Sequence, residues 1–222
     1  MSRGWTRWLP LITGVLFVAL IAVGVALTWN TPDTKDSATK VLAYYQAHKH
    51  RVMGGSYLIA LSLFFGLFFF GALRGWLRRD PRTERLASVA FGGAILFAVA
   101  GGLIAGSGFA LADNPQVMSA QAAQALNTMS SDLAAPLLLA GLGVILFATG
   151  LAIVCAGLLP RWVGWLSMVF GVVSLTPIGW VMMIALALLV LIVGARLARG
   201  DAAGGGDTPS MPAPPPEAPA GV

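Results

Sequence analysis

Long apolar blocks without a charged residue constrain the fold of this chain more than any other feature. A helix needs ~20 residues to cross the ~30 Å hydrocarbon core of a bilayer, and blocks of about 18 or more apolar residues recur along the chain. Charged residues make up only 10% of the sequence and hydrophobic residues 57%, whereas soluble domains average about 25% charged residues. This pattern excludes a soluble fold and predicts an all-α, polytopic membrane helix bundle.

The last apolar block is too long for one crossing. Residues 162–195 would form about 51 Å of helix, which exceeds one bilayer even with tilt. Pro177 removes a main-chain donor and biases Thr176 away from helix, so a break is expected over residues 176–179. Six transmembrane helices are therefore predicted, at about 8–28, 52–73, 86–112, 133–159, 160–175 and 178–199.

The first block follows a short basic head, residues 1–7, so a secretory signal is the alternative to a first span. Signal peptides have an apolar region of about 7–15 residues that ends at a small-residue cleavage site. The longer block here is followed by Trp29, Asn30 and Pro32, which favours an uncleaved membrane span.

Basic residues are distributed unequally between the two predicted sides of the membrane. With six spans, ten Lys and Arg residues lie on the side of both termini and four on the other side. The positive-inside rule therefore predicts a multi-pass plasma-membrane protein with both termini in the cytoplasm. The same rule explains the net charge of +5 without nucleic-acid binding. The seven tryptophans also fall near predicted span ends, where aromatic rings favour the headgroup level.

The loop before the second span is predicted to form an amphipathic helix on the outer membrane surface. Ser37 can cap a helix over residues 38–51. Apolar side chains recur on one side of this helix, at Val41, Leu42, Tyr45 and Val52. Tyr44 and His48 are one helical turn apart, so their rings can touch. Tyr44, Tyr45 and His48 are the residues predicted to form an interaction surface.

The third outer loop, from Asp113 to Asp132, offers a second short amphipathic helix. Ser119 can cap it, and residues 120–127 would form it. This loop contains no basic residue, whereas the first outer loop is basic. The two loops are therefore expected to meet as an ion-paired cap over the bundle, although each exposed pair stabilises by only ~0–1 kcal/mol.

No catalytic, cofactor-binding or metal site is predicted. His48 and His50 lie about 200° apart on a regular helix and cannot share one metal ion. A zinc site in this loop would need carboxylates from elsewhere, such as Asp33, Asp36 or Asp113. Cys155 is the single cysteine and lies in an apolar block, so a disulfide framework is excluded.

The predicted spans also lack the residues that most membrane chemistry requires. No ionisable residue lies in the middle of any span, although such residues mark proton relays and ion-coupled transporters. The hydroxyl side chains within the spans can bond to their own helix. No Walker loop, zinc motif or buried nucleophile with a base is present, so enzymatic activity is not expected.

Small residues recur at intervals of four within several spans. They are Ser62 and Gly66 in the second span, Ala98, Gly102 and Gly106 in the third, and Ala148, Ala152 and Ala156 in the fourth. Membrane helices associate through close backbone contact at such stripes. Packing within one bundle is the first interpretation, and contact with a second copy or another membrane protein is the alternative.

The composition changes at the end of the chain. From residue 201 onwards, glycine, proline and alanine dominate and bulky apolar residues are almost absent. Such a segment cannot bury enough surface to fold, so residues 201–222 are predicted to form a disordered cytoplasmic tail.

Two stretches carry a resemblance to a known family. One contains Ser37, Ala38, Val41 and residues 43–45 before His48, and the other is the Pro-Arg-Trp-Val-Gly-Trp run at 160–165. Over most of residues 5–199 the chain resembles uncharacterised multi-span membrane proteins of actinobacteria, a domain of unknown function. The resemblance implies a polytopic plasma-membrane protein without an assigned catalytic residue. His50 departs from the small residue expected at that position.

The sequence leaves two functions open. The first is a non-enzymatic scaffold or accessory component of the cell envelope, with the lipid bilayer and other membrane proteins as its partners. The second is a carrier or channel for a small neutral or apolar solute, because such a path needs no buried charge.

Overall fold

The computed structural model of this chain describes residues 5–113 and 115–203, and its regular structure there is entirely helical. The helices are α1 (Trp5–Thr28), α2 (Ala38–Ala47), α3 (Lys49–Leu77), α4 (Glu84–Asp113), α5 (Ala120–Thr128), α6 (Ala135–Ala156), α7 (Arg161–Val173) and α8 (Met182–Ala203). A π-helical segment, Met129–Ala134, joins α5 to α6. The predicted tail lies outside the described residues, except that α8 continues through its first three residues.

The predicted helix bundle is confirmed, with one short member. Within residues 5–113 and 115–203, five helical segments are long and apolar enough to cross a membrane. They are Trp8–Thr28, Lys49–Leu77, Pro81–Asp113, Ala120–Ala156 and Gly179–Arg199. The sixth apolar helix, α7, has 13 residues, which give about 20 Å of length. It is therefore shorter than the ~30 Å hydrocarbon core of a bilayer.

Contacts at glycines show that successive apolar helices are antiparallel. A Cβ at Gly14 of α1 would meet Phe69 of α3, whereas a Cβ at Gly24 would meet Ile59. The same reversal relates α3 to α4, α4 to α6 and α6 to α7, and α8 returns to pack against α1. The apolar helices thus form a ring in the order α1, α3, α4, α6, α7, α8.

Close backbone contact holds this ring together, but not at every predicted position. A Cβ at Gly141 of α6 would lie 2.6 Å from the main-chain nitrogen of Phe97 in α4. Gly66, Ala148 and Ala152 are buried as predicted. For Gly102 and Gly106, packing within the bundle is wrong, because both are exposed and an added Cβ would meet nothing within 4 Å, so contact with a second copy or another membrane protein stays the open alternative for this stripe. The packed surface of α4 lies one residue away, at Gly93, Phe97 and Gly101.

The predicted break near Pro177 is confirmed and lies within the length of the bundle. Ser174 follows α7 directly, and its hydroxyl donates to the carbonyls of Gly171, at 2.8 Å, and Leu139 in α6, at 3.2 Å. A Cβ at Gly143 would lie 2.7 Å from the Ser174 hydroxyl oxygen. Gly143 is 13 residues from the C-terminal end of α6, so the turn lies about 20 Å from that end along the helix axis.

The antiparallel order gives the bundle two different ends. At one end α1, α4 and α7 begin and α3, α6 and α8 end. We call it the arginine end, and its described side chains include Arg74, Arg78, Arg79, Arg82, Arg85, Arg161, Arg196 and Arg199. The opposite end carries α2, α5 and the segments around them. We call this part the cap, residues 29–52, 111–113 and 115–134.

Candidate interaction site in the cap

Helix α2 begins as the sequence predicts but ends earlier. The Ser37 side chain accepts a hydrogen bond from the main-chain nitrogen of Lys40 at 3.4 Å. The predicted helix through residue 51 is wrong, because α2 ends at Ala47 and His48 has φ −116° and ψ 23°. Helix α3 begins at Lys49. The chain therefore changes direction at His48, and α2 folds over the bundle instead of extending α3.

The apolar side of α2 packs against protein. Val41, Tyr45 and Val52 are buried in one cluster with Leu111 and Ala112 at the end of α4 and Ala123 of α5. The predicted position on the membrane surface is therefore wrong for this helix face. The face is apolar because it fills the space between α2, α4 and α5.

The two loops of the cap meet as predicted, through side-chain amides. Gln124 Nε2 donates to the Thr34 carbonyl at 2.6 Å, and Gln46 Nε2 donates to the Pro115 carbonyl at 3.4 Å. Asn127 is buried, and its Nδ2 donates to the Pro32 carbonyl at 3.3 Å. The sequence reasoning missed Gln124 and Asn127.

Charge has a smaller part in the cap than the sequence predicts. The Lys40 to Asp36 ion pair, at 2.6 Å, lies within the first loop and is exposed on the Lys40 side. That hydrogen bond from Lys40 lowers the pKa of the Asp36 carboxyl. The Lys49 ammonium donates to the main-chain carbonyl of Asp113, and Asp132 is exposed. Hydrogen bonds from side-chain amides therefore join the two loops, where the sequence predicts an ion pair of Asp132.

The three predicted interface residues are together, but they have different surroundings. The rings of Tyr44 and His48 are stacked, with centroids 4.4 Å apart. Both residues are half-buried. Tyr45 is only 3% exposed, so the prediction that it forms part of a surface is wrong. Its hydroxyl donates to Asn127 Oδ1 at 3.4 Å, and burial raises its pKa to about 12.

An open groove of about 440 Å³ lies beside α2. Its lining includes Asn30, Pro32, Asp33, Lys40 and Tyr44. Within the described residues, the Tyr44 hydroxyl is buried and has no hydrogen-bond partner. The groove therefore combines carboxylates, an amide and an ammonium group, which is the chemistry of a polar binding surface, whereas the Tyr44 hydroxyl is covered by protein.

Metal chemistry finds no support in the described part of the chain. No group of three His, Cys, Asp or Glu side chains there could hold a metal ion. His50 is exposed on α3, whereas His48 stacks on Tyr44 and its Nδ1 lies 3.0 Å from the Tyr44 carbonyl.

No protein-family model matches this chain, and neither the curated proteins nor the solved structures contain a significant match to it.

Proposed function

We propose that this chain is a non-enzymatic scaffold or accessory component of the cell envelope, and that the cap is its interaction surface. The observation that carries the proposal is the open groove beside α2, which presents the carboxylates of Asp33 and Asp36, the Asn30 amide and the Lys40 ammonium group.

The cap has the rigidity that an interaction surface needs. It contains its own apolar cluster, and its hydrogen bonds join residues far apart in the chain, such as Gln124 to Thr34. A surface held in one conformation loses less entropy when it binds a partner. The partner that fits is a protein segment with polar side chains, because the groove offers both charges and an amide.

The plasma membrane is the proposed location, with both termini in the cytoplasm. The arginine end would face the cytoplasm, since basic residues accumulate on that side. The cap then faces outwards, where an envelope partner could reach the groove. The resemblance of residues 160–165 to actinobacterial multi-span membrane proteins is compatible with this arrangement.

Site-specific photocrosslinking in cells tests the proposal. A photoreactive residue at Ala43, which lines the groove, should give a crosslinked product of defined mass. The same residue at Ala125, exposed on α5, is the control and should not give that product. The Lys40→Gln substitution should weaken the crosslink by removing the ammonium group from the groove. Equal products from Ala43 and Ala125 would contradict a partner in the groove.

One observation favours the alternative function, a carrier or channel for a small neutral solute. Within the described residues, the Thr149 hydroxyl in α6 is buried without a hydrogen-bond partner. The unpaired Thr149 hydroxyl also corrects the expectation that the hydroxyl side chains in the spans bond to their own helix. The apolar gap beside Phe17, between α1, α3 and α4, has no room for a water molecule, so a solute path would not pass there.

Reconstituted vesicles distinguish the two functions. Under the scaffold proposal, vesicles containing the protein should take up small neutral solutes no faster than empty vesicles. Uptake that is lost in Thr149→Val but retained in Thr176→Val would instead support a carrier. Thr176 is the matched control, because its hydroxyl is exposed and bonds to the Val173 carbonyl at 2.7 Å.

A further inference from the structure

We propose that the arginine end binds the phosphate of an anionic phospholipid at Arg74, on the exposed surface where α3 and α4 join. This site lies at the opposite end of the bundle from the cap, so it does not depend on the function proposed for the groove.

Arg74 differs from the other arginines near it. Its Cζ lies 5.3 Å from the centre of the Phe91 ring of α4, and the residue is half-buried, whereas Arg82 and Arg85 are exposed. Within the described residues, its Nε is buried without a hydrogen-bond partner. A guanidinium keeps its charge at any pH that proteins tolerate. Arg74 therefore presents a cation at the edge of the bundle, packed over the Phe91 ring, whereas its unpaired Nε is covered by protein.

The nearby carboxylates have other hydrogen bonds. The segment between Arg74 and Phe91 contains only two acidic residues, Asp80 and Glu84. Glu84 accepts from Arg78 Nη2 at 2.7 Å, and Asp80 Oδ1 accepts from the main-chain nitrogen of Arg82 at 2.8 Å. Both carboxylates accept from donors other than Arg74, and the anion that we propose for Arg74 comes from outside this segment.

The surroundings of Arg74 fit a ligand with an anionic head and an apolar body. Arg74 lies one helical turn from the end of α3, and that turn also carries Trp76, a residue type that favours the headgroup level. Gly71 is exposed, and an added Cβ there would meet nothing within 4 Å, so the surface beside Arg74 is open. Further along α3, Leu67 and Phe68 are 40% and 54% exposed.

Arginine is the suitable residue for such a ligand. Its planar guanidinium donates two parallel hydrogen bonds to phosphate oxygens, and these charge-assisted bonds are stronger than neutral ones. Basic side chains near the ends of membrane helices are known to bind anionic lipid headgroups. Free inorganic phosphate matches the charge of this site but not its apolar surface, so a lipid is the better fit.

Lipid retention and thermal stability test this site on the full chain. The protein is reconstituted in phosphatidylcholine nanodiscs with increasing phosphatidylglycerol, and bound lipid is counted by native mass spectrometry. Wild-type protein should retain phosphatidylglycerol preferentially and unfold at higher temperature as its content rises. Arg74→Gln should weaken that retention about tenfold, the loss expected for one hydrogen bond to a charged group.

Arg85→Gln is the matched control, because it removes the same charge from an exposed position on α4. An equal effect of Arg85→Gln would overturn the site in favour of general charge attraction. Stabilisation by inorganic phosphate in pure phosphatidylcholine would overturn the lipid assignment. If Arg74→Gln does not fold, Arg74→Lys is tested instead, because lysine keeps the charge but lacks the planar guanidinium. Arg74→Lys should lower phosphatidylglycerol retention several-fold. Unchanged retention would contradict the proposal.

Discussion

Tyr44 and Tyr45 are neighbours in the chain, yet they have different roles. Successive residues of a helix point about 100° apart. That rotation turns Tyr45 towards Ala123 and Asn127, whereas Tyr44 lines the groove. Tyr45 thus holds the cap together, and Tyr44 is half-buried beside the groove. A Tyr-Tyr pair in the sequence predicts neither assignment, because the position of α5 decides which ring is covered.

The ionisation of Tyr45 should follow its burial. Its pKa is raised from 10.0 to about 12, so the neutral phenol is favoured in the folded protein. The stability that it contributes is complete below pH 10 and is lost as the pH rises to about 12. In that range its contribution to the unfolding free energy should fall by up to ~1.4 kcal/mol per pH unit. The part of the tyrosinate absorbance that disappears in Tyr45→Phe should titrate with a midpoint near pH 12. A midpoint near pH 10 would contradict the buried position of Tyr45.

Glycine pairs show why the packed surface of α4 could not be predicted from spacing. Gly92 and Gly93 are adjacent, as are Gly101 and Gly102, so two stripes of small residues follow the same helix. The helix is apolar on all sides, and no polar face marks which stripe faces lipid. The structure buries Gly93 and Gly101 and exposes their neighbours.

Alanine substitutions should separate these two stripes. In Gly141→Ala the new Cβ would lie 2.6 Å from the Phe97 nitrogen, so α4 and α6 must separate, at a cost of about 1–3 kcal/mol. Gly102→Ala meets nothing within 4 Å and should be neutral or stabilising by up to about 1 kcal/mol, because alanine favours helix. Reversible unfolding in one detergent measures both; a larger loss for Gly102→Ala would contradict the packing.

At the scale of secondary-structure elements, helix boundaries that a proline or a capping serine marks were predictable. Helix boundaries that depend on tertiary contacts were not. Pro177 predicts the turn after α7, and Ser37 and Ser119 correctly predict the starts of α2 and α5. The change of direction at His48 has no such signal, since it depends on how α2 packs over α4 and α5. The groove was missed for the same reason, because the loop at residues 30–33 and α2 form it together.

The Pro-Arg-Trp-Val-Gly-Trp run has a structural explanation at this scale. Pro160 is the residue before α7, where its missing N–H costs no helical hydrogen bond. Trp162 and Trp165 are 65% and 58% exposed, as expected for rings at the edge of a membrane. Gly164 is buried, and a Cβ there would lie 2.7 Å from the Gly150 carbonyl. The motif therefore forms the tight corner between α6 and α7.

The Ser174 hydroxyl should secure the turn between α7 and α8. In Ser174→Ala the hydrogen bond to the Leu139 carbonyl of α6 is lost, which should destabilise the protein by about 1 kcal/mol and speed amide exchange in the turn. Thr176→Ala is the control, because that exposed hydroxyl bonds only within its own turn. Equal protection from exchange in wild type and Ser174→Ala would show that the hydroxyl does not hold the turn.

At the scale of the molecule, the two ends differ in charge. Among the side chains that the structure describes at the arginine end, eight arginines are exposed or half-buried, and the acidic residues are Asp80 and Glu84. The cap balances Lys35, Lys40, Lys49 and Arg51 with Asp33, Asp36, Asp113 and Asp132. Both termini of the ring of helices lie at the arginine end, because its apolar members alternate in direction. Charge and topology therefore make a joint prediction about orientation.

Reporter fusions should test that joint prediction. Reporters placed after Arg79 and after Arg199 should both be cytoplasmic, because the arginine end satisfies the positive-inside rule and α7 and α8 return the chain to it. A reporter after Lys35, in the cap, should be on the outer side and serves as the control. Opposite locations for Arg79 and Arg199 would contradict the antiparallel arrangement of α7 and α8. Inversion of all three reporters would keep the fold but place the groove in the cytoplasm, which would overturn its proposed role in the envelope.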